Sequence, residues 1–344
     1  MQNPSRHSIS PFVLFLCILV SIAFTEIPKQ EHISKQELMT AAALYTKNVS
    51  VCSFQIHCLG ESKKRHNDQL VKLIGKYDIV LIQGLIAPPK DGKYPDGSSY
   101  EADPEVKLFF HLMKTRGYDY LLSEEDTGPG RKNHKNSCAT EWSVAFYKKN
   151  AVMPAPDLPH GFLADDVTNH DVYYRVPYAH AFRSVDSTFD FVLINVHLYP
   201  NKGSRSKWKK RRKELSEILK WIYAHNAVEK DFILAGNMQI RTGKELVDVL
   251  PEGFATLNDE LDRTKLSDNY FPYDHVFYRP VHTTEIDTTY DQREIPIIEA
   301  LMPKWKGPGE YPGSPYNYKE FPEFYSDHCP IHFRFNLPKW DDDH

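Results

Sequence analysis

The sequence predicts an α/β sandwich built on mixed sheets. Three observations predict it. Continuous apolar runs at residues 79–82 and 232–235 read as strands buried on both faces. Segments of helical length stand between such runs, and strands outnumber helices. The apolar runs end repeatedly in polar side chains, which is where α/β proteins place their sites. No internal repeat and no clear domain boundary breaks the pattern.

The chain has 344 residues, 41% hydrophobic and 26% charged, with a net charge of -4. This is an ordinary globular composition with a sizeable core. It excludes a globally basic nucleic-acid binder, so any polyanion contact has to come from a local patch. Residues 1–25 read as a secretory signal. Arg6 and His7 precede an apolar run over residues 11–24 that is too short for a typical membrane span, and Ser21-Ile22-Ala23 is a small-x-small cleavage site. An uncleaved anchor is the alternative. The expectation is a secreted or periplasmic protein, with no stable membrane insertion after cleavage. Cys17 leaves with the signal. Cys52, Cys58, Cys138 and Cys329 remain, and four cysteines allow three disulfide connectivities. Cys52 and Cys58 fall on one expected strand, too far apart to pair if it is extended. No Cys-x-x-Cys occurs, which argues against a structural zinc site. Asn48-Val49-Ser50 is a glycosylation sequon, usable only in a host that glycosylates.

Taken in order, residues 34–46 predict a helix capped by Ser34, with Glu37 completing a capping box. Residues 48–57 alternate as a strand, 66–76 form a helix on Leu70, Leu73 and Ile74, and 78–82 form a buried strand. A Pro/Gly-rich loop spans 88–97. A helix over 104–116 has proline in its first turn. Strands follow at 118–122 and 143–147, joined by a polar Gly-rich loop, and residues 150–171 read as irregular. Residues 179–185 and 189–197 pair across a turn at Asp186-Ser187. A long helix covers 207–225, a buried strand 232–235, a short helix 244–250 and a strand 273–278. Residues 303–325 are crowded with Pro, Gly and Tyr and read as an ordered loop. The last strand begins at Pro330. The organisation is a signal at 1–25, a helical lead-in at 26–48, one domain at 49–337 and an acidic tail at 338–344, where Asp341-Asp342-Asp343 frays.

The polar strand ends come in a definite sequence: Gln55, then Gln83-Gly84, Glu141, Asn195-Val196-His197, Gly236-Asn237-Met238-Gln239, Tyr273-Asp274-His275, and Ser326-Asp327-His328-Cys329-Pro330. One such Asn or His alone is more often a hydrogen-bonded loop residue. Together with Tyr77-Asp78-Ile79-Val80-Leu81-Ile82-Gln83, Val196-His197-Leu198 and Ile233-Leu234-Ala235-Gly236, they make the chain resemble the endonuclease/exonuclease/phosphatase superfamily. The resemblance is to the fold of pancreatic-type deoxyribonuclease, especially secreted bacterial members, over roughly residues 49–336. It implies a four-layer α/β/β/α sandwich with one cleft across the strand ends. It also implies phosphodiester hydrolysis with a divalent cation, Mg2+ or Mn2+, on the phosphate and two carboxylate-braced histidines handling protons. On that resemblance His197 and His328 are the histidines, Glu141 and Asp274 their carboxylates, Arg175 a phosphate contact and Asp327 a metal ligand.

Four positions depart from the resemblance. Gln55 stands where the family has Asn, Gly84 where it has the metal-binding Glu, and Asn237 and Gln239 where it has the Asp and Asn of a Gly-Asp-x-Asn turn. Loss of one preorganised polar group costs about 10²–10³ in rate, and a misplacement near 1 Å costs about 10²-fold. The expectation is therefore a pseudo-enzyme with weakened or lost metal binding that still takes a phosphate-bearing ligand. Two alternatives stay open. One is an active phosphodiesterase, on DNA, RNA, phospholipid or inositol phosphate, with a shifted metal site drawing on Glu141, Asp274, Asp327 and Asp91 or Asp96. The other is a polyanion-binding module over residues 202–213, which carry eight basic residues and one Trp.

Overall fold

The computed structural model describes residues 48–200, 205–267, 271–290 and 293–339. The signal, the helix expected at 34–46, most of the acidic tail and the first part of the basic segment lie outside the described residues. The described residues belong to one compact unit within Lys47–His344. Its elements begin with β1 (Asn48–Leu59), α1 (Asn67–Ile74), β2 (Ile79–Leu85), β3 (Gly92–Lys93), β4 (Ser99–Tyr100), α2 (Pro104–Thr115), β5 (Tyr118–Leu122) and β6 (Trp142–Lys148). Then come β7 (Val152–Pro154), β8 (Gly161–Phe162), β9 (Tyr178–Ser184), β10 (Asp190–His197), α3 (Arg205–His225), β11 (Phe232–Asn237) and α4 (Gly243–Val249). The chain closes with β12 (Ala255–Thr256), β13 (Asp274–Tyr278), β14 (Arg293–Glu294), α5 (Ile297–Leu301), α6 (Phe321–Phe324) and β15 (Ile331–Asn336).

Two mixed sheets carry the fold, in the orders β14-β15-β1-β2-β6-β5 and β12-β13-β11-β10-β9-β7, with β8 also on β9. Side-chain alternation sorts the three cores. Val51, Leu81 and Phe333 of the first sheet meet Phe191, Leu193 and Ile233 of the second in a layer between the sheets. Their strand neighbours Phe54, Val80 and Phe146 point the other way, onto Leu70 of α1 and Phe109 of α2. Val192 and Leu234 point onto Ile218 of α3 and Leu246 of α4. The layers therefore run helix, sheet, sheet, helix, as expected. Asp103 caps α2 by accepting from the N–H groups of Glu105 (2.8 Å) and Val106 (3.1 Å), with Pro104 at the first helical position.

Two polar side chains placed at strand ends by the sequence, Gln83 and Asn195, bolt the sheets together. Gln83 Nε2 donates to Asn195 Oδ1 (2.7 Å) and to Ser53 Oγ (3.0 Å). Asn195 Nδ2 donates to the Ile82 carbonyl (3.0 Å) and to Ser143 Oγ (3.1 Å). The amide donors are thus partnered across the two sheets, as buried polar groups require, while Gln83 Oε1 is left without a partner.

One expectation changes and two are made specific. Residues 150–171 are not wholly irregular: β7 and β8 add to the edge strand β9, through backbone pairing that no side-chain periodicity announces. Cys58 pairs with Cys138 across 80 residues, with Cα atoms 5.3 Å apart, while Cys52 and Cys329 are free and buried. The loop at 303–325 is packed rather than merely ordered, since Tyr311, Phe321, Phe324 and Tyr325 all enter the outer core of the first sheet.

Candidate active site

Strand register gathers the site. β1 and β2 run parallel with Gln55 opposite Gln83, and β10 and β11 run parallel with His197 opposite Asn237. β13 runs antiparallel to β11, so its first residue, Asp274, falls opposite Asn237. β15 enters antiparallel to β1, which brings Asp327 and His328 to the same edge. Because the two sheets lie face to face, these ends converge on one place.

One half of the site is a buried ion cluster. Glu141 Oε1 lies 2.9 Å from Arg175 Nε and 2.9 Å from His197 Nδ1, and Glu141 Oε2 accepts from the Gly84 N–H at 2.9 Å. Burial works against ionisation of Glu141, but Arg175, His197 and the Gly84 N–H overcome it and hold its carboxyl down at about 2. Burial, then Arg175, lowers the His197 pKa, so the imidazole is neutral at pH 7. Its Nδ1–H then donates to Glu141, and Nε2, 3.4 Å from Asn237 Nδ2, is the acceptor. Arg175 Nη2 also donates to the Cys138 carbonyl at 2.6 Å, which ties the cluster to the disulfide. A cavity of about 20 Å³ between Arg175, His197, Asn195 and Thr127 has room for a single water.

The other half centres on Asp274, which accepts from Thr264 Oγ1 (2.6 Å) and from His328 Nδ1 (2.7 Å). Burial lowers the His328 pKa. Asn237 Oδ1 accepts from the Gln239 N–H at 3.1 Å, and Gln239 is held at φ +58°. Asp327 meets Lys265 Nζ at Oδ2 and His57 Nδ1 at Oδ1, 3.2 Å away. Burial, then Lys265 and Arg65, lowers the His57 pKa to about 4, and burial lowers that of Lys265 to about 8.

The four departures interlock. Gly84 has φ +86°, at a point where the pairing of β2 with both neighbours shifts register. A Cβ built there would stand 2.6 Å from Gln55 Oε1 and 3.2 Å from the Cys58 amide nitrogen. The amide of Gln55 thus fills the room in which a side chain at position 84 would begin. A divalent cation does not fit these residues. Its one remaining carboxylate, Asp327, is paired with an ammonium, and a hard ion needs several oxygen ligands. The shifted metal site is not assembled either. Asp91 caps the Ala102 N–H, Asp96 binds Ser98, and Glu141 and Asp274 are engaged as above. Among the described residues only Cys58, Glu61 and Cys138 bring three ligand atoms together, and the two cysteines are in the disulfide.

Lys265, Thr264 and His57 were not anticipated from the sequence. The sequence carries no local signal for the first two. They sit in a polar stretch whose backbone bridges to residues 327–329, through Leu266 N–H to Asp327 O (2.8 Å) and Cys329 N–H to Thr264 O (2.7 Å). His57 adjoins Gln55 on β1 but is turned at φ +58°. Of the basic segment, residues 206–213 are described in full. Lys207 and Lys210 both donate to Tyr199 Oη at 3.1 Å, and their ammonium groups lie 4.5 and 4.4 Å from that ring's centroid.

The comparisons with known proteins follow this geometry. The catalytic domain of human Nocturnin, solved with a bound sulfate anion, is 12% identical and superposes with a TM-score of 0.54 over 85% of this chain and 95% of that one. The chain has the endonuclease/exonuclease/phosphatase fold. A functionally unknown protein of Enterococcus faecalis shares the fold at 13% identity and a TM-score of 0.50, over 83% of this chain and 98% of that one. Deoxyribonuclease gamma of Rattus norvegicus is 26% identical over 179 residues, 50% of this chain. The match spans about half the length of that relative, 51%. No family model matches the chain. Among the described residues no helix is long and apolar enough to cross a membrane.

Two predictions follow from the geometry of this fold's strand ends. Gly84→Ala costs about 1–3 kcal/mol in denaturant unfolding, because a non-glycine residue is strained at that φ. The cost is smaller in a Gln55→Asn background, where the 2.6 Å clash is removed. Equal costs in the two backgrounds refute the interlock. The lowered pKa of Glu141 stabilises the fold above the unfolded value near 4.5, and that stability is lost as pH falls toward about 2. Unfolding free energy should drop more steeply between those pH values in the native protein than in Glu141→Gln.

Proposed function

We propose that this chain is a secreted protein of the deoxyribonuclease-like fold that has lost, or nearly lost, metal-dependent phosphodiester hydrolysis and binds a phosphate-bearing ligand. The observation that carries the reading is the pairing of Asp327 with Lys265, together with the Gln55 amide in the room at Gly84. The positions that the resemblance assigns to a metal and its carboxylates are filled by protein groups. The histidines, by contrast, keep their carboxylate partners. A groove of about 390 Å³ opens beside His57, lined by Lys63 and Lys319 together with Glu61 and the Lys64–Glu323 pair, while its Arg65 is committed to Glu105 and to backbone carbonyls. Lys63 and Lys319 are the cations it presents to an anion next to the strand ends.

Purified protein incubated with supercoiled plasmid and Mg2+, Mn2+ or chelator is expected to leave the plasmid intact in all three. Inorganic phosphate is expected to raise the unfolding temperature equally with and without chelator. Metal-dependent nicking would overturn the loss of hydrolysis, and a chelator-sensitive phosphate effect would overturn metal-free binding.

A nucleic-acid strand is the ligand favoured by one further feature. Arg175 stacks on Tyr174 (4.9 Å to its centroid), Tyr174 meets Tyr199 edge to face (5.0 Å), and Tyr199 carries Lys207 and Lys210. Glu214 pins both tyrosines to α3 by accepting from the Tyr174 N–H (2.7 Å) and the Tyr199 N–H (2.8 Å). Among the described residues neither Lys207 nor Lys210 has a carboxylate partner. This lane leads from Arg175, beside His197, along a basic helix. Replacing Lys207 and Lys210 with Ala should flatten the dependence of log K on log salt for a single-stranded oligonucleotide by roughly 1.4, at about 0.7 per phosphate contact. An unchanged slope removes the lane from the binding surface.

A further inference from the structure

We propose that Lys265 is this protein's own cation at the strand-end site, and that its ammonium keeps divalent metal ions off Asp327. The proposal stands on how the lysine is held. Its backbone is not free to swing away, because Leu266 N–H donates to Asp327 O (2.8 Å) and Cys329 N–H donates to Thr264 O (2.7 Å). Lys265 thereby forms an isolated antiparallel bridge with His328. The side chains at 264 and 265 serve neighbouring acids: Thr264 Oγ1 donates to Asp274 and Lys265 Nζ pairs with Asp327. The Lys265 side chain is only 21% exposed and that of Asp327 18%. This is a seated pair, unlike the exposed lysine–carboxylate contacts that contribute little.

Competition decides occupancy. A cation tethered beside its carboxylate acts at an effective concentration set by the tether, in the millimolar range or above for short flexible links and more for a fixed one. Free Mg2+ would have to displace it, shed part of a firmly held water shell and find ligands where only one carboxylate stands. Of the three carboxylates Glu141, Asp274 and Asp327, Glu141 has Arg175 beside it, Asp327 has Lys265 and Asp274 has His328. Without Lys265, Asp327 would keep no lysine or arginine partner among the described residues. The side chain at 265 is therefore what occupies the Asp327 carboxylate, the acid that a divalent ion would meet when the ammonium is removed.

The test is Mn2+ binding to the full chain, read as loss of the free-ion signal in electron paramagnetic resonance. It does not depend on phosphate binding or hydrolysis, so its outcome is separate from that of the preceding proposal. The native protein and Lys265→Arg are expected to bind no Mn2+ at millimolar concentration. Lys265→Met, which keeps the aliphatic stem and removes the charge, is expected to gain one site, and adding Asp327→Asn is expected to abolish it. Lys265→Gln serves where Lys265→Met unfolds. Mn2+ binding by the native protein that disappears in Asp327→Asn overturns the proposal. So does a folded Lys265→Met or Lys265→Gln variant that stays as blank as the native protein.

Discussion

A carboxylate buried between two sheets has to be neutralised where it stands, and Glu141 sets that requirement for this molecule. Four separate parts of the chain meet it: the Gly84 N–H at the irregular end of β2, His197 at the end of β10, Arg175 from the loop before β9, and through Arg175 the carbonyl of disulfide-bonded Cys138. Breaking such a buried pair by removing one partner typically costs about 3–5 kcal/mol, since the other charge is left stranded. The cluster therefore constrains backbone as well as side chains. Gly84 must present its N–H inward, which fixes the positive φ there, and the loop of Cys138 must stay against β1, which the Cys58–Cys138 bond secures.

What could be read from the sequence was whatever periodicity and order express. Alternation located β1 and continuous apolar runs located β2 and β11 to within a few residues, and the superfamily resemblance, resting on the order of polar strand ends, named Gln55, Glu141, His197, Asn237, Asp274 and His328 as site positions before any register was known. Register then did the rest, because parallel pairing of β10 with β11 sets His197 beside Asn237 without further information. The unreadable part has a common physical origin. Lys265 meets Asp327 across 62 positions, and Cys58 meets Cys138 across 80. Such contacts are created by the folded backbone and leave no local pattern. The positive φ of Gly84 is of the same kind: the residue was legible as a missing acid, but its conformation, which bars any acid from standing there without strain, was not.

The departures from the superfamily resemblance are electrostatically consistent with one another. Asn237 near His197 Nε2 leaves the imidazole neutral, whereas a carboxylate there would favour its protonated form. Gln55 fills the room at Gly84, and Lys265 balances an acid that would otherwise face neutral histidines. A site that had merely lost residues would leave a gap at position 84 and a half-buried charge at Asp327. Here both are answered by groups from distant parts of the chain. The two histidine–carboxylate pairs consequently bear less on catalysis than their geometry suggests. Once formed inside the sandwich, Glu141 with His197 and Asp274 with His328 are held by the cost of stranding a buried charge, whatever the site does. The discriminating group is the cation. A phosphodiester hydrolase of this fold needs positive charge that is free to meet the phosphate as negative charge develops. In this chain the nearest such charge at Asp327 is already committed to a carboxylate.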